Sequence, residues 1–553
     1  MKVNAMKVLT AAAMREADRR TMEELGLPGP VLMETAAMRV AEAVFALKLK
    51  RGRVVVAAGP GNNGGDGLAL ARILTNGGLE VSLWSTVEAG GYRGDAAVQE
   101  GFLMRCGFPV GRLAEAEALQ RFKEDLSGAA LVVDALLGTG VNRPVEGLAA
   151  KVISAINESG APVLSVDLPS GVYADSGEAP GCAVQARWTV TLACPKRGLL
   201  LYPGAALAGE VLVGQIHIPG FLLEEAPAEV FTAAQAQALL PRRPADMHKG
   251  SAGRVLIVAG SPGMSGAAAM AARAALMGGA GLVYLAAPQS ICPALEAKLM
   301  EVIVLPLPET APGVIAAQAA ELLLERAASC GAVAAGPGLI PAPETRALVE
   351  ALLERCPVPL VLDAGALAAL AGEPGLLRRA RQAPVITPHA GEMGRLAGLD
   401  AEAVQRARPE TALRGAADWR CTVVLKGAYT LIATPEGRLT FNPSGGPALA
   451  TAGTGDLLTG LIASLIAQGL EPGEAARVGA FIHGLAGDLV PGGRSSWPPC
   501  SEAGESERLG SPRRGYTAGH ILELFPQAFA ALEQAAHQPS PWGPFLTPLR
   551  PTL

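Results

Sequence analysis

Aromatic residues are scarce in this chain. They make 4% of its 553 residues. Charge is thin as well, at 18% of residues, where globular chains carry roughly 25%. The formal net charge is −5, so no basic field favours nucleic acid or an anionic membrane surface. The eight cysteines, Cys106, Cys182, Cys194, Cys292, Cys330, Cys356, Cys421 and Cys500, form no Cys-x-x-Cys pair. Neither a zinc site nor a thioredoxin-like motif is indicated, and buried thiols in a reducing compartment are expected. The six histidines are equally dispersed. No stretch of about 18 residues is free of Gly, Pro and charge, which argues against a spanning helix. Arg15, Glu16 and Asp18 interrupt any signal-peptide core, so the expected location is the cytoplasm. No Gly-x-x-x-x-Gly-Lys-[Ser/Thr] run exists, which excludes P-loop chemistry.

What is present is small and apolar. The chain is 50% hydrophobic, with 67 Gly and 43 Pro, a Gly-plus-Pro share below the roughly 25–30% of low-complexity chains. Cores built from Ala and Gly imply close helix–sheet packing. A single core stops growing near about 250–300 residues, so two domains at least are expected. Continuous apolar runs predict strands at Arg53–Ala58, Val81–Ser85, 130–134, 163–167 and 211–218. The pattern lapses over 219–244 and restarts with strands at 254–259, 282–286, 331–335, 358–363, 385–387 and 422–426. Helices are predicted at 66–76 and 266–278. Runs without alternation fit strands covered on both faces, hence parallel sheets. The fold class is therefore α/β in two domains, 1–225 and 244–536, joined by a linker at 226–243. Residues 491–515 are expected to form a polar insertion, and 537–553 a loose tail.

The chemistry-bearing residues cluster at predicted strand ends, where open α/β sheets bind ligands. Gly59–Gly67 reads GPGNNGGDG. Its Gly-x-Gly-x-x-Gly spacing alone is weak, and no acid ends the next strand as a dinucleotide site requires. Asn62, Asn63 and Asp66 suit a polar ligand or a cation, although a helix cap by Asn63 or Asp66 explains them as well. Asp134 and Asp167 each end a strand, followed by Gly138-Thr-Gly-Val-Asn-Arg-Pro144 and by Ser170. These hard oxygens suit a cation such as K⁺, Mg²⁺ or Ca²⁺. In the second half, Gly453, Thr454, Gly455 and Asp456 open an apolar helix. Their amides can receive phosphoryl charge, with Asp456 placed to take a proton from a hydroxyl. A plain Asp cap is the competing reading. His389 is either structural or part of the site. Lys426-Gly-Ala-Tyr-Thr430 either lines a nucleotide or forms a simple hairpin turn.

Taken together, NNGGDG, VDALLGTG and VDLPSG, followed by HKGSAGRVLIVAGSPGMSGAA, AAGPGLI, ITPHAGEM, VVLKGAYT, NPSGGPALATAGTGD and HGLAGDL, make a chain that resembles the bifunctional NAD(P)H-hydrate repair enzymes. The first half resembles an NAD(P)HX epimerase of Rossmann-like fold. The second resembles an ADP/ATP-dependent NAD(P)HX dehydratase of the ribokinase-like superfamily. The resemblance implies that Asn62, Asn63, Gly64, Gly65 and Asp66, with Gly138, Thr139, Gly140, Val141, Asn142, Arg143 and Pro144, hold the hydrated nucleotide. It implies K⁺ on Asn63, Asp134 and Ser170, and Asp167 as the acid/base that interconverts R and S hydrates. In the second half it implies Ala267, Gly338, His389 and Asp456 on the S hydrate. Lys426, Gly427, Ala428, Tyr429 and Thr430, with Gly453, Thr454 and Gly455, would hold the adenine nucleotide, with Mg²⁺ at the same site. Asp456 would deprotonate the hydroxyl as it attacks the terminal phosphate. A homo-oligomer, a tetramer or larger, is expected, with no nucleic-acid or membrane partner.

Two positions depart from the family pattern: Thr35 stands where Asn is usual, and Gly365 where a second Asp is usual. Three rivals compete: a vitamin or sugar kinase with an accessory domain, a non-catalytic scaffold on decayed domains, and an ordinary NAD dehydrogenase. The fused NNGGDG domain weighs against the first, the intact acids against the second, and the missing strand-end acid against the third.

Overall fold

The computed structural model describes residues 5–49, 52–114, 117–490, 515–534, 542–543 and 545–550. Two sheets organise them. The first has eight strands in the order Leu546–Pro548, Glu210–Gly214, Trp188–Leu192, Val163–Val166, Ala129–Ala135, Arg53–Ala58, Val81–Ser85 and Val110–Arg112. All its neighbours run parallel except Leu546–Pro548, which is antiparallel. Val54, Val55, Val56 and Ala57 are fully buried, as a centre strand covered on both faces demands. The second sheet has eleven strands in the order Met6–Val8, Ala228–Val230, Leu439–Phe441, Leu431–Ala433, Thr422–Leu425, Val385–Ile386, Leu360–Leu362, Ala332–Ala335, Arg254–Val258, Leu282–Pro288 and Ile303–Leu307. The predicted strands are all present, within a few residues at their ends.

Small residues do set the helix spacing. A Cβ on Gly460, in helix Thr454–Ala467, would meet the Ala271 carbonyl oxygen of helix Ser265–Met277 at 2.0 Å. Strand Trp188–Leu192 has no counterpart in the sequence reading. Its threonines break the apolar run, yet all five residues are buried because the hydroxyls find acceptors, Thr189 on the Ala208 carbonyl at 2.7 Å and Thr191 on Asp167 at 3.2 Å.

The chain ends cross between the sheets. Met6–Val8 pairs with Ala228–Val230 in the second sheet, while Leu546–Pro548 pairs with Glu210–Gly214 in the first. Two expectations change as a result. Residues 226–243, expected as a linker, hold strand Ala228–Val230 and helix Ala233–Leu239, which opens on a Thr232–Gln235 capping box. They belong to the second domain, where Phe231 meets Phe481 edge-on at 5.8 Å and Arg477 pairs with Glu229. The tail, expected to be loose from 537, supplies an edge strand and buries Trp542, Leu546 and Leu549. The expected insertion, Gly515 apart, lies outside the described residues. Among the described residues no helix is long and apolar enough to cross a membrane.

Candidate functional site

Each sheet reverses its strand order beside its first central strand. In the first, Val81–Ser85 lies on one side of Arg53–Ala58 and Ala129–Ala135 on the other. In the second, Leu282–Pro288 and Ala332–Ala335 flank Arg254–Val258. Loops leaving the strands at such a point diverge and open a crevice. Both sets of candidate residues lie there.

The first crevice is a cavity of about 650 Å³. Asn62, Asn63, Asp66, Gly138, Thr139, Gly140, Val141, Asn142, Arg143, Pro144 and Asp167 line it, as expected. Gly64 and Gly65 do not line it: a Cβ on Gly64 would strike the Gly59 carbonyl oxygen at 1.8 Å, and one on Gly65 the Met33 side chain at 2.6 Å. These glycines let the helix approach its neighbours. The cap reading of Asn63 and Asp66 also fails, because helix Asn62–Asn76 is capped by Gly61 with no side-chain hydrogen bond. Asp66 is buried with no hydrogen bond among the described residues, and burial first, then Asp167 and Asp18, pushes its carboxyl well above the usual range.

Asp134 and Ser170 sit behind the wall rather than in it. The Asp134 carboxylate accepts from the Ser165 hydroxyl at 2.8 Å, the Ser170 amide at 2.8 Å and the Leu136 amide at 3.3 Å, and also from the Ser170 hydroxyl. The Leu137 amide donates to Ser170 Oγ at 2.8 Å, and Asn63 Nδ2 donates to the Leu137 carbonyl at 3.1 Å. Of the three residues expected to ligate K⁺, Asn63 and Ser170 therefore meet at Leu137, and Asp134 reaches it through Ser170. Asp134 is fully buried, burial raises its pKa against those hydrogen bonds, and no basic side chain pairs with it among the described residues. A buried carboxylate without a counter-charge, among hydroxyl and carbonyl oxygens, fits a monovalent cation.

Two residues that line this cavity escaped the sequence reading. Lys196 is 1% exposed, and its Nζ donates to Asp167 Oδ1, to the Leu192 carbonyl at 2.8 Å and to Thr191 Oγ1 at 3.3 Å. Asp18, on helix Ala11–Arg19, lines the same cavity. Its pKa is pushed up to about 6 by burial, with Lys196 opposing and Asp167 adding to the shift. A lysine after a strand and an acid on an amphipathic helix carry no motif, and only the fold brings them to Asp167. Thr35 does not line the cavity; its hydroxyl donates to the Val31 carbonyl at 2.8 Å within its own helix.

The second crevice is built around Lys426. Its Nζ lies 2.9 Å from Asp363 Oδ1 and 3.7 Å from Glu392 Oε2. Burial works against its charge, but Asp363, Glu392 and Asp456 outweigh that and raise its pKa. Thr459 donates to the other Asp363 oxygen at 2.8 Å. Asp456 sits in the first turn of helix Thr454–Ala467, whose N-cap is Gly453 at φ +95° with no side-chain cap. The Asp-cap reading fails, and Asp456 makes no hydrogen bond among the described residues. Burial first, then Asp363, raises its pKa to about 7, with Lys426 opposing. A Cβ on Gly455 would lie 3.3 Å from Lys426 Nζ, so this loop and the lysine adjoin. Gly338 adjoins Ala267, with 3.2 Å between a Cβ placed on it and the Ala267 Cβ.

His389 and Lys426–Thr430 carry structural roles as well. His389 caps helix Ala390–Ala397, accepting from the Gly391 amide at 3.0 Å, and Glu392 completes the capping box. Residues 426–430 join the antiparallel strands Thr422–Leu425 and Leu431–Ala433, so the hairpin reading holds. Arg408, missed by the sequence reading, is buried under that turn, donates to the Ala428 and Leu425 carbonyls, and has its pKa lowered to about 10 by burial. At Gly365 a Cβ would meet the Leu339 carbonyl oxygen at 2.2 Å, so the usual Asp has no room on this backbone.

Two lysine–carboxylate centres at parallel strand ends, one beside a glycine-rich helix start, define a two-site α/β enzyme. Residues 255–501 match the family model described as NAD(P)H-hydrate dehydratase, and residues 29–198 match the YjeF-related protein N-terminus. The chain is 42% identical over 534 residues to the bifunctional NAD(P)H-hydrate repair enzyme Nnr of Moorella thermoacetica, covering 96% of this chain and 98% of that protein. It is 40% identical over 529 residues to the protein of the same description from Thermofilum pendens, covering 96% and 97%. The chain therefore belongs to the bifunctional NAD(P)H-hydrate repair enzyme family. Among solved structures it is similar to the ADP/ATP-dependent NAD(P)H-hydrate dehydratase of Bacillus subtilis, crystallised with ATP and Mg²⁺, at 29% identity and a TM-score of 0.45, over 55% of this chain and 98% of that one. Relatives that span both halves favour repair over the vitamin or sugar kinase alternative.

Proposed function

We propose that the first site interconverts the R and S hydrates of NADH and NADPH, and that the second dehydrates the S hydrate at the expense of ADP or ATP. The observation that carries the reading is Asp456. It is a carboxyl without a hydrogen-bond partner among the described residues, with a pKa near 7, beside Lys426 and the Gly453–Gly455 amides. Such a group takes a proton from the hydrate hydroxyl as that oxygen attacks the terminal phosphate. The helix-start amides and Lys426 receive the developing charge. Hydroxide is a poor leaving group and phosphate a good one, so phosphoryl transfer prepares the elimination that restores the reduced nicotinamide. In the first site Asp167, held by Lys196, serves as acid/base.

Mg²⁺ would reach the second site on the nucleotide phosphates, beside the Asp363, Glu392 and Asp456 carboxylates around Lys426. No cluster of three or more His, Cys, Asp or Glu able to hold a metal occurs among the described residues. It would neutralise phosphate charge. K⁺ would rest on Asn63, Asp134 and Ser170 and offset the Asp134 charge. A homo-oligomer in the cytoplasm completes the proposal, and the free thiols of the seven described cysteines agree with a reducing compartment.

The test is to incubate the protein with mixed R and S NADHX and ADP or ATP, and to follow the reduced-nicotinamide absorbance. Recovery of both epimers supports the reading. Phosphorylation of a vitamin alcohol without NADHX turnover would falsify it.

A further inference from the structure

The first cavity holds three carboxyls around one lysine. Asp18 comes from helix Ala11–Arg19, Asp66 from helix Asn62–Asn76, Asp167 from the end of strand Val163–Val166, and Lys196 from the loop after Trp188–Leu192. Arg15, Asp95, Arg143 and Glu146 also face this space. The three carboxyls are bound very differently. Asp167 has Lys196 Nζ, Thr191 Oγ1 and the Leu192 amide all directed at Oδ1, which leaves Oδ2 without a donor among the described residues. Asp18 and Asp66 accept no hydrogen bond among the described residues. Asp66 is 7% exposed, whereas Asp18 is half-buried and can exchange its proton with solvent.

Resting on the epimerase reading of this site, we propose that Asp18 is the proton donor to the departing hydroxyl and Asp167 Oδ2 the acceptor from the incoming water. The hydroxyl of an enamine hydrate sits on the carbon bonded to the ring nitrogen. Asp18 protonates that oxygen, the C–O bond breaks with its electron pair, and water leaves. The nitrogen lone pair forms a C=N double bond, giving an iminium. A water adds to the other face, its new C–O bond returns the pair to nitrogen, and Asp167 takes its proton. Nothing is oxidised or reduced. One proton has moved from Asp18 to Asp167, and solvent restores the starting state through the half-exposed Asp18. The reverse conversion runs the same steps backward. Two acids of unlike environment at one site are the usual arrangement for such paired roles.

Asp18 has its pKa raised to about 6 by burial, with Lys196 opposing and Asp167 assisting. It carries its proton below that pH, while Lys196, Thr191 and the Leu192 amide hold Asp167 in place through Oδ1. Equilibration of R and S hydrates therefore slows as pH rises above about 6. The helix that carries Asp18 is seated from both ends of the fold: Thr10 caps it, Asp175 accepts from the Ala11 amide at 2.6 Å, and strand Met6–Val8 before it is bound into the second sheet.

The test uses the full chain and pure R or S NADHX without nucleotide, following epimerisation by chromatography from pH 5 to 9. Asp18→Asn is expected to lower kcat by about 100-fold or more, to leave KM within about twofold, and to erase the alkaline decline; Asp18→Glu is expected to recover part of the rate. ADP-dependent dehydration of the S hydrate by the same variants controls for folding. If Asp18→Asn keeps kcat within about threefold and the wild-type pH profile, the donor is another group. If only KM rises, Asp18 merely binds substrate and the inference is wrong. Failure of the wild-type chain to equilibrate the hydrates would instead overturn the epimerase reading, and this role with it.

Discussion

The two sites solve one electrostatic problem in opposite ways. Each places carboxyls around a single lysine at the switch point of a parallel sheet. In the first, Lys196 is spent on Asp167, the proposed base, and holds it oriented. In the second, Lys426 is spent on Asp363 and Glu392, and the proposed base Asp456 is left without a hydrogen bond among the described residues, its pKa near 7. The first lysine is wholly buried, while the side chain of the second is 20% exposed. A base that works on a neutral hydrate inside a cavity is pinned. One that works beside an incoming polyphosphate stays free, and the lysine that balances its neighbours also faces the ligand.

The sharpest break of that comparison is Asp456→Asn. Dehydration is expected to fall by about 100- to 10,000-fold while epimerisation continues. A folded variant that lost both activities would show that the sites are not independent. Next comes Lys196→Met. Removing the partner of a buried charge costs about 3–5 kcal/mol, so the melting temperature falls and epimerisation is lost; Lys426→Met, at a partly exposed site, is expected to cost less stability. Comparing the two by thermal denaturation at one pH measures how much burial matters.

A third outcome concerns pH and stability together. The folded Asp456 pKa is raised from 3.8 to about 7, so the folded state binds the proton more tightly than the unfolded state. Its contribution is favourable at low pH and is lost as pH rises through 7. Asp456→Asn is therefore expected to stabilise the protein at pH 8 by on the order of 1–3 kcal/mol, with little effect near pH 4. Dehydration by the parent chain rises from pH 6 to 8 for the same reason, opposite to the first site's trend. The smallest effect is expected of Arg550→Ala. Arg550 follows the exchanged C-terminal strand and lies 5.1 Å over the Tyr429 ring, on the turn proposed to hold nucleotide. Such a contact is worth about 0.5–1 kcal/mol, so the KM for ADP or ATP rises roughly two- to fivefold, and epimerisation is untouched.

Glycine loops and strand-end acids were legible because they answer to local rules. A continuous apolar run followed by Gly-rich residues makes a buried strand and a tight turn wherever the chain goes. NNGGDG, Asp167 and the GTGD helix start were found that way, and so was the small-residue packing. The strand with threonines was missed because its polarity is cancelled only by partners 19 and 24 residues away.

By itself, then, the sequence determined two α/β units, the ends of their central strands and the acids standing there, since each depends on neighbours within a few residues. The tertiary structure decided which lysine serves which acid, that Asp18 joins the first site, that Asp134 lies behind it, and that the chain termini are exchanged between the sheets. Those depend on pairings across tens to hundreds of residues, such as Asp167 with Lys196 over 29 positions and Lys7 with Ala226 over 219. Only the enclosing fold can bring such groups together and strip the water that would otherwise screen them.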